Sequence, residues 1–306
     1  MDQSLKDKIY KAQCFGDVEP IEYMVPYPNI ASLIDGMIVK HSDKMLYTDE
    51  GWTRMDFHNK VKRTANWLSG QGVNPKERVS LGPLSFPDAE LLAFAVWTLG
   101  ASLVIADEST SEEAAKITNA SFSILESPFP DCLSGQPDAF EPTYIPLLSD
   151  EALIFCLPDK SVRLSHYNIL VNTYAVEKAL SLDDKTVHFS ELKPNSTAWV
   201  VLQLLLPLYT GGSFSSNAST CHFGKDIQLL EGPQFFHKLK PREICIVPEN
   251  TAVLSIGKKA VHMTGIKEES NKLQIEGHSV MMGYLDNNMN DKYFHNGWFY
   301  QDWKND

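Results

Sequence analysis

The strongest constraint on this chain is a repeated switch between short apolar runs and helix-period segments over residues 79–157. Residues 79–81, 102–106, 122–125 and 152–157 are apolar without in–out alternation. Strands buried on both faces read this way, whereas half-exposed antiparallel strands alternate. Between them, Asp88–Leu99 places Ala89, Leu92, Ala93 and Val96 on one helical face and stops at Gly100. Residues 111–119 read as a second helix, capped by Ser111. The β-α-β-α-β series implies a parallel sheet covered by helices, an α/β architecture.

The flanks fill in around that centre. Residues 1–28 carry three prolines and read as an irregular lead-in. Asn29 is placed to cap a helix whose inner face is Ile30, Leu33, Ile34, Met37 and Ile38. Residues 45–48 read as a strand and 49–51 as a turn. Thr53 and Asp56 then form a capping box that opens a helix ending at Gly70. Residues 126–149, rich in proline and serine, read as a crossing loop. Residues 165–180 read as a helix, 186–189 as a strand and 197–208 as a very apolar segment closed by Gly211-Gly212. Beyond Cys221, candidate strands at 243–247, 252–256, 259–264 and 272–276 suit a small antiparallel sheet or barrel.

Charge and cysteine content narrow the function classes. With 27 Lys+Arg against 39 Asp+Glu, the net charge of the 306 residues is −12. Such a surface repels phosphate backbones and anionic lipid, which argues against nucleic acid and membrane surfaces as partners. No apolar run reaches the roughly 18 residues that would mark a membrane span. The start, MDQSLKDKIYKAQ, lacks the apolar stretch of a secretory signal. Cysteines 14, 132, 156, 221 and 245 show neither disulfide nor zinc spacing. The expectation is an acidic cytoplasmic protein. No metal site is expected: Asp183-Asp184 opens no calcium loop, and no two histidines stand four apart on a helix. The strings GxxxxGK[ST], GxGxxG, HExxH and GxSxG are absent.

Three stretches, 46–106, 152–170 and 275–301, together resemble the adenylate-forming (AMP-binding) superfamily of acyl- and aryl-CoA ligases, luciferases and peptide-synthetase adenylation domains. Lys160-Ser161-Val162-Arg163-Leu164-Ser165-His166-Tyr167-Asn168 is similar to that family's "K-G-V-x-L-(S/T)-H-x-N". Residues 206–212, LPLYTGG, resemble "pL-x-x-GG". Residues 277–284, GHSVMMGY, and Gly297-Trp298-Phe299 resemble "(R)G-x-x-(V)M-x-GY" and "(D)GW-(F)-x-TGD". The resemblance implies the N-terminal domain of an acyl-CoA synthetase, shortened. It would hold two doubly wound sheets, one truncated, plus a small antiparallel β-barrel-like part. The sheet region would span 1–240, with 77–190 the better-preserved sheet and 29–72 joined to 191–240 in the reduced one. The small β part would span 241–306, without the family's C-terminal adenylation subdomain and its lysine.

The resemblance implies ATP or AMP with magnesium, and CoA, as cofactors. It carries nucleotide binding onto Lys160 and Ser161, and onto Asp302 through a one-residue slip, since Trp303 holds the strict register of the "TGD" aspartate. The departures fall on chemistry. The Ser/Thr/Gly-rich phosphate loop before the lysine is missing, and Pro158-Asp159 stand in its place. The "YG-x-TE" string is absent, and the matching acyl-pocket histidine is replaced within Lys193-Pro194-Asn195-Ser196. No catalytic residue is assigned. The expected function is an AMP-dependent synthetase-like protein without complete adenylation activity of its own, binding a small acyl or aryl carboxylate or a nucleotide. The alternatives left open are a half-enzyme completed by a partner chain and a non-catalytic interaction module forming a homodimer or binding another protein.

Overall fold

The structure is a computed structural model that describes residues 3–21, 25–111, 113–269 and 272–302, without the side chains of 40, 234, 235 and 302. Its centre is a five-stranded sheet in the order Phe122–Ile124, Arg78–Leu81, Ser102–Ala106, Glu151–Cys156, Ser161–Ser165. The first four strands are parallel, and the last returns antiparallel to its neighbour. Every residue of Ser102–Ala106 is buried, as the unbroken apolar run demands. The Asp88–Leu99 helix is buried on all sides, and Gly100 ends it at φ 88°, a left-handed turn that glycine adopts without strain. Trp97 donates its indole N–H to the Ala152 carbonyl at 2.8 Å and ties that helix to the central sheet.

The second sheet runs Cys221–His222, Val187–Phe189, Ser213–Phe214, Met45–Tyr47, Trp52–Thr53. The sequence reading placed 187–189 with the central sheet; it pairs instead with Ser213–Phe214. The reason lies at Gly212. A Cβ there would stand 2.4 Å from the Thr186 carbonyl oxygen, so only glycine lets the two chains meet. The expected Thr53–Asp56 capping box opens the Arg54–Gly70 helix with both reciprocal bonds present. At the start of the earlier helix, Ala31–His41, the cap position is Ile30, which makes no side-chain cap bond, but Asn29 Oδ1 accepts from the Ser32 N–H at 2.9 Å.

Two small sheets complete the chain. One is mixed: Gln228–Glu231 lies parallel to Glu243–Ile246, followed by Val253–Ile256 and Lys259–Ala260. That first pair joins residues on both sides of the expected 240/241 boundary. The other is antiparallel, in the order Thr264–Glu269, Lys272–Gly277, Trp298–Asp302, Phe294–His295, and no closed barrel is found among the described residues. Residues 1–28 are not wholly irregular. Gln3–Gln13 is a helix that buries Leu5, Ile9 and Ala12 against this sheet. The 111–119 helix is shorter than expected: Ala114–Thr118, with no side-chain cap from Ser111.

The apolar 197–208 segment departs most from regular structure. Trp199–Leu205 is a π-helix that passes into an α-helical turn, Leu206–Thr210. Pro207 lacks the N–H that would bond to the Gln203 carbonyl, and its ring would clash there. The Leu206 N–H reaches back five residues to the Val201 carbonyl, and the wider turn relieves the clash. No described helix is long and apolar enough to cross a membrane.

Candidate functional site

In open α/β sheets, ligands collect beyond the carboxyl ends of the strands, where neighbouring strands diverge. The ends of Ser102–Ala106, Glu151–Cys156, Gln228–Glu231 and Glu243–Ile246 all face one cleft of about 320 Å³. Its floor is apolar, with Phe155, Leu157, Leu192, Ile246 and Pro248. Its polar lining includes Asp107, Glu191, Glu231, Lys193 and the helix-start residues Ser196 and Thr197. Three carboxylates face one lysine, and that lysine already lies 3.2 Å from Glu108. Asp107 is held below the ordinary carboxylate range chiefly by the Ser109 hydroxyl and N–H. The cleft therefore opposes a polyanion.

Ser161 begins the return strand of the central hairpin, and Lys160 stands just before it. Between Leu157 and Lys160 the chain turns through two residues only, Pro158 and Asp159. The Leu157 N–H donates to the Lys160 carbonyl at 2.8 Å, and the Lys160 N–H donates back at 3.4 Å. Proline has no N–H and Asp159 adds a negative charge, so this turn offers no cradle of donors for phosphate.

The Lys160 ammonium is engaged elsewhere. Its Nζ lies 2.7 Å from Glu249 Oε1, and the Glu249 side chain has no exposed surface. Tyr284 donates its hydroxyl to the same oxygen at 2.9 Å, and Gln301 Nε2 lies 3.5 Å from Oε2. Burial is the largest single influence and lowers the basicity of Lys160, but the charge and hydrogen bond of Glu249, with Asp159 and Tyr293, together outweigh it and the net shift is upward. Burial, then Glu249, raises the Tyr284 hydroxyl. The pair borders the cleft through Leu157 and Pro248, while the two side chains do not line it.

Ser161 is turned away as well. Its hydroxyl points to Cys156 Sγ across the hairpin at 3.6 Å, and its carbonyl accepts the Leu285 N–H at 2.9 Å. The third candidate, Asp302, closes the Trp298–Asp302 strand opposite Lys272. Its side chain, and Trp303, lie outside the described residues. The structure thus brings neither the Lys160 nor the Ser161 side chain into the cleft. No group of three His, Cys, Asp or Glu side chains able to hold a metal stands together among the described residues.

Two buried acids escaped the sequence reading. Glu249 sits in the apolar run ICIVPENTAVL, and a lone charge in such a run is the signal that was available. Glu90, in AELLAFAVW, is similarly placed and buried.

The remainder of the Lys160–Asn168 string is architectural. Ser165 caps the His166–Leu180 helix, and Asn168 completes the capping box. Asn168 Nδ2 donates to the carbonyls of His278 and Val280 at 2.8 and 3.0 Å. His166 Nδ1 accepts the Ile30 N–H at 3.3 Å, and the Tyr167 hydroxyl meets His278 Nδ1 at 2.7 Å.

No family model matches the sequence, and no curated protein matches it. Solved structures do match in fold. The McyG adenylation–PCP protein complexed with phenylalanyl-adenylate superposes with a TM-score of 0.75 at 14% identity, over 90% of this chain and 64% of that one. The anthranilate CoA ligase AuaEII in complex with anthranoyl-AMP gives 0.75 at 14% identity, over 91% and 75%. The N-terminal subdomain of Klebsiella oxytoca NpsA, in complex with 3-hydroxyanthranilyl-AMSN, gives 0.71 at 14% identity, over 90% and 95%. This chain has the fold of the N-terminal part of adenylation domains and acyl- and aryl-CoA synthetases. It spans a little under two thirds of the McyG chain and nearly the whole of the NpsA subdomain.

Proposed function

We propose that the protein is an AMP-dependent-synthetase-like protein that does not complete adenylation alone, and that its cleft binds a small acyl or aryl carboxylate or a nucleotide without turning it over. The Lys160–Glu249 pair carries this reading. Adenylation joins a carboxylate to the α-phosphate of ATP and expels pyrophosphate, so the protein's work is mainly positioning and charge neutralisation. The one lysine in register for that work is committed to a buried carboxylate. Separating a buried ion pair costs on the order of 3–5 kcal/mol, because the abandoned charge has no water. The two-residue turn beside it has one backbone N–H, that of Asp159, whose own carboxylate opposes a phosphate. Loss of a single well-placed donor elsewhere costs roughly 2.7–4 kcal/mol of catalysis.

Calorimetric titration with ATP–magnesium, AMP, CoA and a panel of carboxylic acids tests the binding half. A pyrophosphate-release assay with the same panel tests the catalytic half. The expected result is binding of an acid or of AMP without pyrophosphate. Steady pyrophosphate release by the pure protein would remove the proposal.

A second reading is that a partner completes the reaction, as a half-enzyme would require. It draws support from the adenylation–PCP arrangement of two structural neighbours, McyG and the artificially fused NpsA–ThdA. Its mark would be activity that appears only on mixing with a second chain.

A further inference from the structure

Glu90 stands in the first turn of the Asp88–Leu99 helix and is 1% exposed. Its Oε1 accepts the Trp199 indole N–H at 2.9 Å and the Gln203 amide N–H at 2.8 Å. Its Oε2 has no hydrogen-bond partner among the described residues. The connection continues beyond Gln203, whose Oε1 accepts from the Ser190 hydroxyl at 2.8 Å and from the Leu192 N–H at 3.0 Å. The three bonds that Gln203 makes orient its amide, since only its nitrogen donates and only its oxygen accepts. Leu192 and its neighbour Glu191 line the cleft. A hydrogen-bonded path therefore leads from a buried carboxyl, through the π-helix, to the cleft wall.

We propose that Glu90 is a proton-operated positioning residue, whose gain or loss of a proton is relayed through Gln203 to the cleft wall at 190–192. The inference rests on the cleft reading for its consequence and on the hydrogen-bond path for its mechanism. Ionised, Glu90 makes charge-assisted bonds, roughly twice as strong as neutral ones, and polarises the Gln203 amide toward Ser190 and Leu192. Protonated, it is a weaker acceptor and the wall is held less firmly. The proton exchanges with solvent.

The environment sets the two forms close in energy at neutral pH. Burial is the largest influence and raises the carboxyl; the Gln203 and Trp199 bonds oppose it, and the group titrates at about 7. Asp88, on the same helix, adds a smaller upward push. Tyr47, on the Met45–Tyr47 strand, is fully buried and feels the Glu90 charge. The Trp199–Leu205 helix carries no titratable side chain. The Arg54–Gly70 helix meets the Glu90 helix through an apolar contact, Phe57 on Phe94, with ring centroids 5.5 Å apart.

The test is an NMR pH titration of the intact, ligand-free protein from pH 5 to 9. It follows the Glu90 carboxyl carbon, the Trp199 indole N–H, the Gln203 side-chain amide and the Leu192 backbone amide. All four signals are expected to move with one midpoint within about a unit of 7. A Glu90 midpoint in the ordinary range near 4.3, or a Leu192 amide that stays still while Glu90 titrates, would overturn the proposal. In Glu90→Gln the other three signals should become flat with pH; a Leu192 titration unchanged from wild type would mean another group drives it. Gln203→Met cuts the path at its middle, so Trp199 should still titrate and Leu192 should not. That variant decides the matter should Glu90→Gln fail to fold. No ligand enters the experiment, so a cleft that binds nothing leaves its outcome intact, and a failed relay leaves the binding proposal intact.

Discussion

The two ends of one strand, Ser161–Ser165, differ in what their side chains do. At the far end Ser165 caps the helix that follows, and His166, Tyr167 and Asn168 each hold a partner across a chain separation that the fold must bridge. Asn168 alone reaches the 278 and 280 carbonyls, 110 and 112 residues away. At the near end, the turn through Pro158 and Asp159 is as short as a hairpin allows, and Lys160 points to Glu249. Both ends fall within one nine-residue string of family-like sequence. A string of this kind mixes architectural and chemical residues, and the two kinds separate here. The architectural residues answer to buried hydrogen bonds. The residues beside the two-residue turn hold the fold by other means, Lys160 through the buried Glu249 carboxylate.

The comparison is broken most directly at Lys160. Lys160→Met leaves Glu249, with no exposed side-chain surface, as an uncompensated buried charge. The expected loss is about 3–5 kcal/mol in urea unfolding. Adding Glu249→Gln should restore a substantial part, because the second change removes the stranded charge. A single variant as stable as wild type, with weakened ATP binding, would instead make Lys160 a phosphate ligand.

Acid probes the opposite end. Burial lowers His166 to about 4, against an ordinary value near 6.5. The folded state therefore binds fewer protons than the unfolded chain between those values. His166 contributes stability that is full above about 6.5 and is lost as pH falls through about 4. The shift corresponds to about 3 kcal/mol. His166→Gln should show a shallower fall in unfolding free energy between pH 6.5 and 4 than wild type. Equal slopes would mean that the junction is not held by a neutral imidazole. The buried His188, also lowered to about 4 by burial, adds the same sign of dependence to both proteins and cancels in the difference.

Asn168→Ala is expected to cost about 2–3 kcal/mol. It removes half of a capping box, leaves the His278 carbonyl without its side-chain donor, and leaves the Val280 carbonyl with only the Gln13 amide. The loss should appear in urea unfolding. A loss within about 0.5 kcal/mol, the range of ordinary surface changes, would show that water replaces the amide and that the junction is no more architectural than the turn.

The difference between the two ends also marks how far the sequence could be read. Period and capping made the central sheet, the Thr53–Asp56 box and the Asp88–Leu99 helix legible, because local sequence and burial agree there. The partner of 187–189 was not legible. It depends on the absence of a side chain at Gly212, which matters only once two distant segments meet. The π-helix was hidden because Trp199–Leu205 is apolar except for Gln203 and shows no period. In the site, the shortened turn could be read from Pro158-Asp159. The fate of Lys160 could not, because Glu249 is 89 residues away in an unrelated strand connection. A two-residue turn is visible in a sequence; the distant partner of the lysine beside it is not.

Ser161 offers the finest division between the two kinds of residue. It follows Lys160 in the string and begins a strand whose far end is architectural. Its hydroxyl has a thiol sulfur 3.6 Å away as its acceptor, the weakest of the polar contacts described here. Its backbone, which Ser161→Ala leaves in place, carries the bond to Leu285. The expected change in stability is within about 0.5 kcal/mol. The expected change in AMP or carboxylate affinity, by calorimetry, is none, since the hydroxyl faces Cys156 and does not line the cleft. A tenfold loss of AMP affinity at unchanged stability would place Ser161 among the ligand contacts. It would also shift the border between architecture and chemistry one residue further along the strand.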